Sequence, residues 1–227
     1  FVGMFPIPLR HGMTIGELAR LFNEAFGIGC RLQVIPMEGW RRDLWYDQTN
    51  LLWVLPSPNM PTLETATVYP GMVLVEGTQL SEGRGTTRPF ELIGAPFIDP
   101  DRLVAELRAE KLPGVFFRPC YFQPTFHKHA GQLCGGVQVH VLERARFKPV
   151  LTAVALLKAI HRLYPEHFQW RPPPYEYVFD RLPFDILAGT DRLRQQILED
   201  RPLREIEDSW RADLESFRKL RQAYLMY

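Results

Sequence analysis

The stretch from residue 56 to residue 96 constrains the fold of this 227-residue chain most strongly, because prolines, glycines, charges and hydroxyls are concentrated there. Proline fixes φ and glycine permits positive φ, so the backbone must change direction repeatedly across it. An apolar run at residues 72–75 predicts a short buried strand. Glu76 and Gly77 follow this run, and in open α/β sheets the ligand crevice lies beyond the carboxyl ends of the strands. We therefore expect the Glu76 side chain to line a cleft.

A glycine-rich turn follows this predicted strand. Gly83 and Gly85 flank Arg84, and glycines allow a ligand to approach the backbone closely. Thr86 adds a hydroxyl and Glu91 adds a carboxylate. The alternative interpretation is a surface turn in which an arginine pairs with Glu91.

Three side chains are candidates for catalysis. Glu76 and Glu91 lie on either side of the turn and would supply the two carboxylates that glycosidases use as acid, base or nucleophile. His11 precedes a predicted helix N-terminus, which is a natural anion site. Ion-paired surface glutamates and a loop histidine with a backbone partner are the alternatives. Four aromatic residues form either core or a stacking floor for a sugar ring: Trp40, Trp53, Tyr69 and Phe90.

Composition limits the class of protein. Apolar residues make up 46% of the chain and charged residues 23%, as in a globular protein with a substantial core. The formal net charge of +1 gives no indication of a nucleic-acid or membrane-surface partner. No apolar run approaches the ~20 residues of a transmembrane helix, so we expect no membrane span.

No metal or cofactor site is predicted. His127, His129 and His140 lack a carboxylate or cysteine at a recognised ligand spacing, which favours structural roles. Cys134 near His129 could be a nucleophile pair, but its apolar, glycine-rich context is more typical of an inert buried thiol.

Local signals predict the main helices and strands. Thr14 and Glu17 form a capping box that begins a helix extending to about residue 26. Asp99 and Pro100 are an N-cap and N1 pair for a helix to about residue 111. Further helices are predicted at residues 61–68, 149–164, 190–198 and 202–224. Strands are predicted at residues 31–37, 72–75, 90–93, 115–122 and 136–142.

Seven motifs together identify a family resemblance that covers nearly the whole chain. They are RHGMTIGELA at residues 10–19, PMEGWRR at 36–42, PSPNMPT at 56–62, EGTQLSEGRGTTRPFE at 76–91, GAPF at 94–97, KHAGQLCGGVQ at 128–138 and DILAGT at 185–190. In this combination the chain resembles the bacterial exo-β-N-acetylmuramidases.

The resemblance implies a glycoside hydrolase that needs no cofactor and releases terminal N-acetylmuramic acid from peptidoglycan fragments. It implies an α/β fold, with the tail of a Rossmann-like parallel-sheet domain over residues 1–79 and a smaller mixed α+β domain over residues 80–227. The active site would lie in the cleft between the two domains. Family members are nearly twice as long and this chain begins without Met, so we expect an upstream portion with further glutamates. A periplasmic or secreted location is favoured.

The resemblance also selects positions in the motifs. The predicted catalytic residues are Glu76, Glu91 and His11, and the predicted substrate-binding residues are Arg84, Arg10, Asn59, Thr78, Ser81 and Thr86. Arg84 is the predicted partner of the lactyl carboxylate of muramic acid, because arginine offers planar, bidentate geometry. The expected partner is a peptidoglycan-derived saccharide and no nucleic acid. The alternative function is a saccharide- or protein-binding module without turnover.

Overall fold

The computed structural model describes residues 3–227, which form a mixed α/β fold with a small antiparallel sheet. The helices are α1 Ile15–Ala25, α2 Leu63–Met72, α3 Pro100–Ala109, α4 Pro149–Leu163, α5 Pro183–Ala188, α6 Arg192–Leu198, α7 Leu203–Ser209 and α8 Arg211–Arg221. Short 3₁₀ helices are Tyr46–Gln48, Val73–Gly77 and Gln222–Tyr224. The strands are β1 Leu92–Ala95, β2 Val115–Phe122 and β3 Cys134–Val141. Within residues 3–227, no helix is long and apolar enough to cross a bilayer.

The chain divides into two compact units. The larger unit contains residues 53–206, and the smaller unit combines residues 3–52 with residues 207–227. The domain boundary between residues 79 and 80 rests on the family resemblance and stays a prediction.

The sheet of the larger unit has the order β1-β3-β2, with both pairs antiparallel. Ile93 of β1 lies opposite Val137 of β3, and Phe117 of β2 lies opposite Val139. Gly136 permits the close approach of β1, since a Cβ there would lie 2.0 Å from the Ile93 carbonyl oxygen. The strand predictions at residues 115–122 and 136–142 are confirmed, and the strand predicted at 90–93 lies at Leu92–Ala95.

Helix α4 is the centre of the larger unit's core. Its residues from Pro149 to Ile160 are all buried except Val150, which is why this helix has apolar residues on nearly every side. It packs against α2, where Gly71 allows close contact because a Cβ there would lie 1.9 Å from the Pro149 carbonyl oxygen. The helices predicted at 99–111 and 149–164 are confirmed.

The strand predicted at residues 72–75 is wrong. Thr62 caps α2 by accepting a hydrogen bond from the Thr65 N–H, and the helix runs to Met72 and continues as the 3₁₀ helix Val73–Gly77. A short, fully apolar run carries no periodicity, so a buried strand and a buried helical segment look alike in sequence. Glu76 therefore lies near the end of a helix.

Two other predictions are corrected. Residues 31–37 form no strand, and Ile35 at 77% exposure faces solvent instead of a sheet. The helix predicted over residues 202–224 is divided into α7, α8 and the final 3₁₀ turn, because Trp210 leaves helical geometry with φ −105° and ψ 2°.

The smaller unit is built on α1, whose predicted capping box is confirmed. Leu21 on its apolar face packs with Met13 and Phe217. Glu17 lies one turn before Leu21 on α1; its carboxylate is fully buried and accepts hydrogen bonds from Arg42 Nη2 at 2.6 Å and from the Met226 N–H at 2.8 Å. Together with the Thr14 N–H at 2.8 Å, these donors attach both the 36–42 motif and the end of the chain to α1. We call this arrangement the Glu17 clasp.

Candidate active site

Arg84 joins two carboxylates in the larger unit. Its Nη2 donates to Glu76 Oε1 at 2.9 Å and its Nε donates to Glu82 Oε1 at 3.1 Å. The Glu82 side chain is fully buried, whereas 13% of the Glu76 side chain and 24% of the Arg84 side chain remain exposed. Glu76 is therefore the carboxylate of this pair that a ligand can reach. We call Glu76, Glu82, Arg84 and Lys128 the acidic cluster.

Lys128 fixes the backbone beneath Glu76. Its ammonium donates to Glu82 Oε2 at 2.9 Å and to the carbonyl oxygens of Val75, Glu76 and Leu80 at 3.1–3.3 Å. A cation at the carbonyl oxygens of a helical C-terminus is a favourable cap. Burial lowers the pKa of Lys128, and the negative charge of Glu82 opposes this effect.

The loop that carries Lys128 adopts an unusual backbone. Its neighbours His127 and His129 have φ values of +69° and +56°, which are uncommon for residues other than glycine. His127 Nδ1 lies 3.2 Å from Glu82 Oε1, and His129 Nε2 lies 2.9 Å from the Gln79 carbonyl oxygen. Both histidines thus orient the loop toward residues 79–82.

Two aromatic residues lie against Arg84 and Glu76. The guanidinium of Arg84 lies 5.1 Å from the centre of the Phe90 ring, and Tyr69 meets Phe90 edge-on at 4.8 Å. Burial, followed by the charge of Glu76, raises the pKa of Tyr69. Phe90 is a core side chain at 1% exposure, so only Tyr69 remains a candidate to meet a ligand in this pair.

A second segment reaches the cluster from the C-terminal side. Residues 169–171 run antiparallel to residues 77–79, with Thr78 bridged to Trp170 and the Arg171 N–H donating to the Gly77 carbonyl oxygen at 2.9 Å. The following turn pairs Tyr175 with Val178. Burial and then the charge of Glu76 raise the pKa of Tyr175 to about 12. Tyr175 is therefore a protonated hydrogen-bond donor at neutral pH.

The structure brings together only part of the predicted site. Glu76 and Arg84 meet, but Glu91 does not join them. The Glu91 side chain is buried, accepts a hydrogen bond from Thr65 Oγ1 at 2.7 Å and forms an ion pair with Arg88 at 3.5 Å. The paired-arginine alternative for Glu91 is thus observed, with Arg88 as its partner.

The predicted hydroxyl and amide residues have local partners. Thr78 Oγ1 donates to the Val75 carbonyl oxygen, and Thr86 Oγ1 donates to that of Gly83. Ser81 Oγ accepts from the Gly83 N–H, and the Asn59 N–H donates to Ser57 Oγ. The bonds of Thr78, Ser81 and Thr86 shape the turn that presents Arg84, and substrate contact by these residues stays a prediction.

Arg10 and His11 belong to the smaller unit. Arg10 is exposed, and His11 Nδ1 accepts a hydrogen bond from the Met13 N–H at 3.1 Å. Burial, followed by the charge of Arg221, lowers the pKa of His11. Arg221 also donates to the His11 carbonyl oxygen at 2.9 Å. The backbone-partner alternative for His11 is thus observed.

Sequence reasoning did not single out Glu82, Lys128, Tyr175 or Arg171. Glu82 and Lys128 are contained in motifs of the family resemblance, at residues 76–91 and 128–138, and this is the signal that could have found them. Tyr175 and Arg171 carry no such signal. Within residues 3–227, no group of three or more histidine, cysteine or acidic side chains is arranged to bind a metal ion. Burial raises the pKa of the Cys134 thiol to about 11.

Comparison with known proteins gives this cluster a context. The family model described as exo-beta-N-acetylmuramidase NamZ, C-terminal, matches residues 67–227, and the corresponding N-terminal model matches residues 1–64. The chain is 49% identical over 227 residues to the peptidoglycan beta-N-acetylmuramidase NamZ of Bacillus subtilis (strain 168). This match covers all of the chain and 53% of the relative, so the chain spans about half the length of that protein.

Two crystal structures of DUF1343 family proteins from Bacteroides fragilis NCTC 9343 are also similar. The first has a TM-score of 0.83 and 29% identity, and the match covers 99% of this chain and 58% of that one. The second has a TM-score of 0.67 and 27% identity, and covers 96% and 56% respectively. The motif resemblance is thereby confirmed, and the chain belongs to the exo-β-N-acetylmuramidase NamZ family.

Proposed function

We propose that this chain is part of a glycoside hydrolase that releases terminal N-acetylmuramic acid from peptidoglycan fragments, and that the acidic cluster faces the substrate. The observation that carries this proposal is the partly exposed Glu76 carboxylate, bonded to Arg84 at 2.9 Å in a chain of this family. Hydrolysis of a glycosidic bond adds water across it and requires a positioned carboxylic acid or carboxylate at the leaving oxygen or the anomeric carbon.

Each member of the cluster has a distinct part in this proposal. Glu76 meets the sugar, because it is the accessible carboxylate. Arg84 and the buried Glu82 fix its rotamer, and Lys128 fixes its backbone. Such support around a reacting group is what lets a site maintain productive geometry. The protonated phenol of Tyr175 is available to donate to a sugar hydroxyl.

The predicted catalytic roles of Glu91 and His11 stay predictions. Both have partners that account for their positions: Thr65 and Arg88 for Glu91, and the Met13 N–H for His11. We therefore assign the first catalytic test to Glu76.

We also propose that residues 1–79 complete a Rossmann-like domain and that residues 80–227 form its ancillary domain. The support is a row of large apolar side chains that are exposed in the first region, among them Ile28, Ile35, Leu51 and Leu52. Apolar exposure on this scale is typical of a surface covered by other protein. Hydrogen exchange on the full-length protein tests this: protection of residues 28–52 is expected, and rapid exchange there would contradict it.

The activity is tested with the purified full-length protein and a muramic-acid-terminated peptidoglycan disaccharide. Mass spectrometry should detect free N-acetylmuramic acid and the shortened acceptor. Binding of the disaccharide without release of either product would instead support the non-catalytic saccharide-binding alternative.

A further inference from the structure

Arg171 is an uncommitted cation beside the acidic cluster. Its backbone N–H is bonded to Gly77, and its guanidinium lies 5.7 Å from the centre of the Tyr175 ring. Among residues 3–227, no carboxylate forms an ion pair with this guanidinium, and the neighbouring Glu176 is no exception. A partly buried arginine that stacks on a ring and lacks an anion is prepared to bind one.

The charge around Arg171 favours an anionic ligand. Glu76 and Glu82 are balanced by Arg84 and Lys128 within the acidic cluster. Arg171 therefore adds a positive charge that these two carboxylates do not neutralise. The positive charge of Arg171 acts on the acidic cluster: burial is the main cause that lowers the pKa of Lys128, and the charge of Arg171 lowers it further.

Arg84 is less suited to the same task. It already donates to two carboxylates, through Nη2 to Glu76 and through Nε to Glu82. A third carboxylate at Arg84 would be repelled by the two that are bound there. The anion-binding role predicted for Arg84 from the sequence is thus better served by Arg171.

We propose that Arg171 binds the lactyl carboxylate by which N-acetylmuramic acid differs from N-acetylglucosamine. This inference rests on the proposed function and identifies the residue that determines substrate choice. The Arg171 N–H bond to Gly77 ties its backbone to the residue after Glu76. The Arg171 guanidinium lies on the Tyr175 ring, and the charges of Glu76 and Arg171 both act on Tyr175. We therefore infer that one sugar meets both side chains, with its lactyl ether at Arg171 and its glycosidic bond at Glu76. Tyr175 supports the guanidinium through its ring.

Kinetics of the full-length protein test this assignment. The substrates are a chromogenic β-N-acetylmuraminide and the same compound with its lactyl carboxylate converted to a methyl ester. We expect the wild-type protein to prefer the acid. Arg171→Gln should lower kcat/KM on the acid by at least about tenfold, the effect of losing a charge-assisted pair. The kcat/KM value on the ester should change by less than about twofold. Arg171→Lys should lie between, because lysine preserves the charge without the bidentate geometry.

The ratio of the two kcat/KM values does not depend on how much of a variant is folded, so misfolding cannot imitate the expected result. Arg181→Gln is the matched control, since Arg181 is an exposed arginine of the same region, and it should leave the ratio unchanged. Equal losses on acid and ester in Arg171→Gln, or no preference for the acid in the wild type, would overturn the assignment.

The proposed function can fail separately. If the wild-type protein hydrolyses neither compound, calorimetry with N-acetylmuramic acid and its methyl ester tests Arg171 directly. Acid-selective binding that is lost in Arg171→Gln supports the assignment, and equal affinity of the wild type for the two sugars overturns it.

Discussion

The Glu17 clasp and the acidic cluster are both carboxylate–arginine arrangements within family motifs, yet they differ in how their bonds are completed. Glu17 is fully buried and accepts from the backbone N–H groups of Thr14 and Met226 as well as from Arg42. Glu76 is partly exposed, and its carboxylate is bonded to the side chain of Arg84. The first arrangement is closed by the backbone, whereas the second leaves an accessible oxygen beside phenol donors and an uncommitted arginine.

This difference shows how a carboxylate in a family motif can be assigned either a structural role or a role in binding a ligand. A fully buried carboxylate that joins distant segments of backbone, as Glu17 does, stabilises the fold and presents no exposed oxygen to a ligand. Glu76 is instead positioned by side chains: Arg84 binds its carboxylate, and Lys128 binds the backbone carbonyls of residues 75–80. A carboxylate positioned in this way and partly exposed can meet a ligand. The predictions below separate these two roles by measuring stability and turnover on the same variants.

The largest effect is expected in the clasp. Glu17→Gln removes the negative charge that pairs with Arg42 and replaces one of the two acceptor oxygens by an NH₂ group that faces other donors. The free energy of unfolding should therefore fall by about 3 kcal/mol. Urea unfolding measures this. Glu24→Gln is the control, since Glu24 is an exposed residue of the same helix, and it should change stability by less than about 0.5 kcal/mol. An equal response of the two variants would show that the clasp does not stabilise the fold.

The clasp also predicts a pH dependence. Burial alone would raise the pKa of Glu17, but hydrogen bonds from Arg42 and from the Met226 and Thr14 N–H groups outweigh it and lower the pKa to about 2 from an ordinary value of 4.5. Because the folded-state pKa is depressed, this stabilisation is fully present above about pH 4.5 and is lost as the pH falls toward 2. Between these values, the stability of Glu17→Gln should depend less on pH than that of the wild type.

Turnover should respond in the acidic cluster. Glu76→Gln in the full-length protein should lower kcat by at least about 100-fold, the contribution of a positioned acid or base, while the midpoint of thermal unfolding shifts little. Glu166→Gln is the control at an exposed glutamate of the same unit and should retain wild-type kcat. A Glu76→Gln protein with full activity would remove Glu76 from the mechanism.

Local signals predicted much of the fold. The capping box at Thr14 and Glu17 and the Asp99–Pro100 pair give correct helix starts, because capping bonds join residues two or three apart. The run at residues 72–75 was misassigned because its environment, buried on all sides, is set by distant parts of the chain. The strand predicted at 31–37 likewise failed, since pairing needs a partner that alternation alone does not supply.

The candidate site was less predictable from sequence. Glu76 and Arg84 are eight residues apart and share one motif, so their contact could be anticipated. Lys128 reaches Glu82 across 46 residues and Arg171 reaches the Gly77 backbone through a separate segment, and no local pattern encodes either approach. The predicted pairing of Glu76 with Glu91 rests on their closeness in sequence. In the folded chain Glu91 instead accepts a hydrogen bond from Thr65 and forms an ion pair with Arg88.

Arg84 distinguishes positioning from recognition. Arg84→Lys keeps a charge but loses the geometry that reaches Glu76 and Glu82 together. We expect kcat to fall about tenfold on both the muraminide and its methyl ester, because the misplaced group is Glu76. The ratio of kcat/KM values should stay as in the wild type. If kcat/KM falls on the acid alone, Arg84 binds the lactyl carboxylate, as the sequence alone predicts.

The smallest effect is expected at Tyr175. Its pKa is raised to about 12, by burial first and by the charge of Glu76 second, so its phenol is protonated at neutral pH. In this state it can donate a hydrogen bond but cannot act as a base or nucleophile. Tyr175→Phe preserves the ring beneath Arg171 and removes only the donor, which should lower kcat/KM about fivefold, the worth of one neutral hydrogen bond. The pH–rate profiles of the variant and the wild type should coincide up to about pH 10, because no ionisation of Tyr175 contributes there. An alkaline limb that disappears in Tyr175→Phe would show that the phenol titrates during turnover, and Tyr175 would then belong with Glu76 among the reacting groups.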